Sequence, residues 1–141
     1  MRVVSEARPG LHGEVDRILA ELGIEPELDG DGDWRIETEA GPFMLVVDRE
    51  NGDLVALQTI RSITGPLAEE AELMHALLQL NVEATGAAYG AVAGRDANLL
   101  VLSARVEAAD VTRDRVERML GDATRLSRRL DELAEAWRPS S

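Results

Sequence analysis

The sequence predicts one α+β domain with the element order α-β-β-β-α-β-β-α: a five-stranded, mainly antiparallel sheet packed with helices. Three observations predict it. Apolar and polar residues alternate strictly from Trp34 to Glu39, the period of a half-buried strand. The small-residue run Gly86–Gly94 and the apolar run Leu99–Val106 are strand-length segments joined through residues 94–98. After them Val116, Met119, Ala123, Leu126, Leu130, Leu133 and Trp137 recur at three- and four-residue steps, the stripe of a long amphipathic helix.

The elements follow in order. Residues 1–9 read as a flexible arm, 10–138 as a single domain and 139–141 as a tail. Leu11, Val15, Ile18, Leu19 and Leu22 mark one face of a first helix, and Gly23 is placed to cap it in a left-handed conformation. An acidic turn, Glu25–Asp33, leads into the alternating strand. Gly41-Pro42 turns the chain into Phe43–Asp48, and Asn51-Gly52 offers a tight hairpin into Leu54–Ile60, making a three-strand meander. The second helix opens at Pro66 with Glu69 and Glu70 in its first turn. It carries Leu67, Ala71, Met74, Leu77, Leu78 and Val82. The last helix starts at Thr112 as N-cap, with Val111 and Val116 spaced as a hydrophobic staple. Its stripe suits packing across the sheet better than a coiled coil, because Ala123 is small and Gly121 interrupts the helix at about 1 kcal/mol.

Composition narrows the function. The net charge is −12 and all 15 basic residues are arginines. Residues 1–72 hold 17 acids and 6 arginines (−11), and residues 73–141 hold 10 acids and 9 arginines (−1). So acidic a surface repels nucleic-acid phosphates and anionic lipid. Aromatics are only 3%, which argues against a base-stacking platform. No cysteine is present, and no apolar run approaches the ~18 residues of a membrane span. The expectation is a cytoplasmic protein that binds neither nucleic acid nor membrane.

No motif supplies chemistry. Asp29, Asp31 and Asp33 alternate like calcium ligands, but the positions where an EF-hand loop needs glycine and glutamate hold Trp34 and Ala40. His12 and His75 lie on separate helices without a second ligand one turn away. Gly86, Gly90 and Gly94 precede a strand, whereas a phosphate-binding loop must open a helix. They fit a strand on which another surface packs closely: the last helix, a dimer mate or a client. No enzyme activity, metal or cofactor is expected.

The strings Leu77-Leu78-x-x-Asn81, Thr85-Gly86-Ala87-Ala88-Tyr89-Gly90, Arg95-Asp96, Leu99–Leu102 and Ala134-Glu135-Ala136-Trp137 resemble those of the type III secretion chaperone family, Tir-chaperone type. They also resemble the related YbjN-like domains. The resemblance spans residues 11–137. It implies a small acidic homodimer that binds an extended segment of another polypeptide, a secreted effector or, for a YbjN-like regulatory domain, a signalling partner. On the chaperone pattern the dimer surface maps onto Leu73, Leu77, Val82 and Tyr89. The partner-binding grooves map onto Leu11, Val15, Ile18, Leu22, Leu100 and Leu102.

Overall fold

The computed structural model describes residues 10–64, 70–84, 86–93 and 96–137, with the side chains of residue 93 and residues 134–137 set aside. The expected arm, the tail, Pro66 and Glu69 lie outside these residues. The elements are α1 (Gly10–Glu21), β1 (Glu27–Leu28), β2 (Trp34–Thr38), β3 (Gly41–Val47), β4 (Leu54–Ile63), α2 (Ala71–Glu83), β5 (Ala87–Ala93), β6 (Asn98–Val106) and α3 (Arg113–Trp137). All neighbouring strands pair antiparallel in the order β1-β2-β3-β4-β6-β5. The α+β class stands, with six strands in place of five: the acidic turn contains the two-residue β1, which pairs with Trp34 and Arg35.

Alternation sorts each strand. Trp34, Ile36, Phe43, Leu45, Leu54, Ala56, Leu100, Leu102 and Ala104 turn to one face and are buried. There they meet Val15, Ile18 and Leu19 of α1 and Val116, Met119, Ala123, Leu126 and Leu130 of α3 in one core. The α3 stripe therefore packs across the sheet. Because α3 touches both α1 and α2, the three helices form one layer on this face. Gly121 lies exposed within the continuous α3.

The caps explain the element ends. Thr112 Oγ1 accepts the Arg115 N–H (3.3 Å) and its carbonyl accepts the Val116 N–H (2.9 Å), the expected N-cap of α3. Gly23 takes φ +75°, and the Ile24 N–H reaches back to the Leu19 carbonyl at 2.9 Å. The hairpin between β3 and β4 is longer than the tight turn expected. Val47 pairs with Leu54, Gly52 alone takes positive φ, and Asn51 instead uses its side chain to accept the Asp53 N–H.

Candidate partner-binding surfaces

Burial decides which of the expected contact residues have surface to offer. Val15, Ile18 and Leu102 are fully buried and Leu100 is 1% exposed, so these four belong to the core and cannot line a groove. The reason is that α1 and α3 share one face of the sheet, so the short stripe of α1 is used up against Trp34 and its neighbours. Leu11 and Leu22 are half-buried at the margin of that core. Of the expected dimer residues, Leu77 and Tyr89 are buried and Leu73 half-buried; Val82 is 87% exposed.

The α2–β5 end of the sheet is built around Tyr89. Asn81 Oδ1 accepts the Tyr89 N–H (2.7 Å) and Asn81 Nδ2 donates to the Tyr89 carbonyl (2.9 Å). The Tyr89 hydroxyl donates to the Leu126 carbonyl at 2.7 Å. Burial, and then the charge of Asp131, pushes its ionisation well above the usual tyrosine range. Outside this anchor, α2 exposes Leu78 (64%) and Val82 (87%) one turn apart, and β5 exposes Val92 (51%). A side chain at Gly90 would meet nothing within 4 Å, so no packing among the described residues requires that glycine. Gly86 is different: its φ is +81° and a Cβ there would collide with the Asp122 carboxylate.

The titratable candidates assemble no reactive centre among the described residues. His12 stacks on Trp34 (centroids 5.2 Å apart), whose indole N–H donates to Asp16 at 2.8 Å. His75 is exposed on α2. The carboxylates of Asp29, Asp31 and Asp33 come within 4.8 Å of one another, the convergence their alternate spacing allows. Asp29 Oδ1 already accepts the N–H groups of Asp31 (2.8 Å) and Asp33 (3.0 Å). Burial, then repulsion from Asp29 and Asp31, raises the Asp33 pKa.

Sequence reasoning missed an opening inside the sheet. β3 and β4 pair only from Val47/Leu54 to Met44/Leu57. Beyond that the Gln58 side chain bridges the two strands. Its Nε2 donates to the Ala40 (2.9 Å) and Pro42 (3.3 Å) carbonyls, and its Oε1 accepts from the buried Ser127 hydroxyl (2.8 Å). The Pro42 carbonyl thus points at β4, and so would its N–H if proline had one. The missing donor explains why the ladder stops there. The resulting cleft of about 620 Å³ is bounded by Phe43, Met44, Leu57, Thr59, Ile60 and Leu130, with Arg35 and Asp131 among its polar residues. Pro42, at the seam of the hairpin, was the available signal.

No protein-family model matches this sequence, and no curated protein matches it. Among solved structures the chain is similar to YbjN from E. coli, a proposed transcription regulator, with a TM-score of 0.64 at 14% identity, over 91% of this chain and 93% of that one. That likeness shows a YbjN-like fold. No helix among the described residues is long and apolar enough to cross a membrane.

Proposed function

We propose that this chain is a non-enzymatic protein-interaction domain, acting in regulation through contacts with other polypeptides and with a second copy of itself. The observation that carries the reading is the exposed Leu78, Val82 and Val92 on α2 and β5, two elements packed against each other at one end of the sheet. Leu78 and Val82 lie one turn apart on α2, Val92 lies on the face of β5 opposite to Tyr89, and exposed apolar side chains of this kind mark contact surfaces more often than catalytic ones. Small residues along β5, Ala88 and Gly90 among them, leave room for a close approach. The narrower role of a secretion chaperone rests on the sequence resemblance alone, and its client would be a secreted effector.

Light scattering tests the self-association. The expected mass is twice 15.3 kDa at micromolar concentration, and Val82→Glu should shift it to the monomer without loss of helix signal. Affinity capture from the native host tests the partner. A monomer at every concentration that also retains no polypeptide would sink the proposal.

A further inference from the structure

We infer that the cleft between β3 and β4 is an acceptor for an extended polypeptide segment in which apolar and basic residues alternate. This rests on the protein-interaction reading and assigns it a second surface, separated from β5 by β6 in the strand order.

Main-chain geometry selects the occupant. Met44 and Leu57 are the last paired residues of the hairpin, and strand alternation directs the Thr59 N–H and C=O the same way as those of Leu57, towards β3. The residue that would face Thr59 in that register is Pro42, which has no N–H to return. From Thr59 to Ile63 β4 pairs with β6 on one side, and no described strand pairs with it on the other. A register shift between Thr59 and Arg61 leaves Ile60 unpaired with β6, and Ile60 lines the cleft. An open strand edge beside apolar walls takes a strand, whose amides complete the ladder and whose alternate side chains enter the walls. A polar small molecule fits less well, because the Gln58 amide and the Ser127 hydroxyl already satisfy each other and the Ala40 and Pro42 carbonyls.

Charge selects the composition. Arg35, among the cleft's lining residues, pairs with both Glu27 and Glu37. Asp131 has no ion-pair partner among the described residues. Arg35, its two glutamates and Asp131 sum to one cation against three anions, so the surplus is negative. An acidic segment is repelled.

The probe is an eight-residue end-capped peptide alternating valine and arginine, titrated into the full chain labelled with nitrogen-15. A valine–glutamate peptide is the control. The expected result is saturable amide shifts at residues 58–63 and 41–44 with the basic peptide only. Ile60→Arg should weaken binding by about tenfold, since it places a cation against apolar walls and beside the peptide's own cations. Asp131→Arg, on an exposed helix face, should weaken it several-fold and leave the fold intact, so the inference does not depend on Ile60→Arg folding. Shifts confined to α2 and β5, or equal binding of both peptides, would overturn the inference. So would shifts at 58–63 that follow protein concentration without peptide, because the occupant would then be a second copy. Any of these results leaves the Val82→Glu and capture experiments free to succeed, so the two proposals fail separately.

Discussion

Asn81 holds the outer edge of the sheet at Tyr89 by offering its side-chain amide where a neighbouring strand would offer a peptide group. Both main-chain groups of Tyr89 point away from β6, and both find a partner in the last turn of α2. An edge strand covered in this way is a poor template for uncontrolled pairing. Replacing Asn81 by Ala should cost about 1–3 kcal/mol, the range for leaving buried partners unsatisfied. A thermal melt should show the loss, and deuterium exchange at the Tyr89 amide should accelerate.

Tyr89 should make the domain sensitive to alkali. Its folded-state pKa is raised by burial and by Asp131, whereas an unfolded tyrosine ionises near 10. The unfolded chain therefore releases the proton first. The stabilisation is complete below about pH 10 and is lost as pH rises through the folded value. The chain has one tyrosine, no cysteine and no lysine, so little else titrates in that window. Urea melts between pH 8 and pH 11.5 should show the decline. Tyr89→Phe should remove it, while lowering neutral-pH stability by about 1 kcal/mol through the hydroxyl's lost bond to Leu126.

Two glycines should respond in opposite directions to alanine. At Gly86 the positive φ and the Asp122 carboxylate both oppose a side chain, so Gly86→Ala should destabilise by more than about 1 kcal/mol. At Gly121 the nearest atom to a new Cβ is Arg125 Nη2 at 3.8 Å, an ordinary contact. Gly121→Ala should stabilise by about 1 kcal/mol through helix propensity. Paired thermal melts check both signs.

Millimolar calcium should leave the melting temperature unchanged. Asp29, Asp31 and Asp33 supply three carboxylates, and calcium takes about six to eight oxygens. One oxygen of Asp29 is also committed to the turn. A rise of several degrees would show that further oxygen ligands complete a calcium site with these residues.

The period of α3 and its Thr112 cap were readable because a long stripe and a capping residue each specify local geometry. The six-residue alternation from Trp34 was readable for the same reason. What the sequence could not convey is which side of an apolar stripe stays wet. Val15 and Val82 look alike as helix residues, yet one is fully buried and the other almost fully exposed. That difference depends on all helices choosing one face of the sheet, a tertiary fact. β1 escaped notice because two residues carry no period. The β3–β4 opening escaped because Pro42 reads as a turn residue until its carbonyl is seen facing Gln58.

The order of elements along the chain has a consequence for biosynthesis. All six strands precede α3, and α3 supplies Val116, Met119, Ala123, Leu126 and Leu130 to the core. While the ribosome adds the 25 residues of α3, roughly 1–5 s at ordinary elongation rates, the apolar face of the nascent sheet has only α1 and α2 to cover it. Cooperative folding must therefore wait for the late arrival of one helix, and a ribosome stalled inside α3 would present the part-covered face to whatever holdase is nearest.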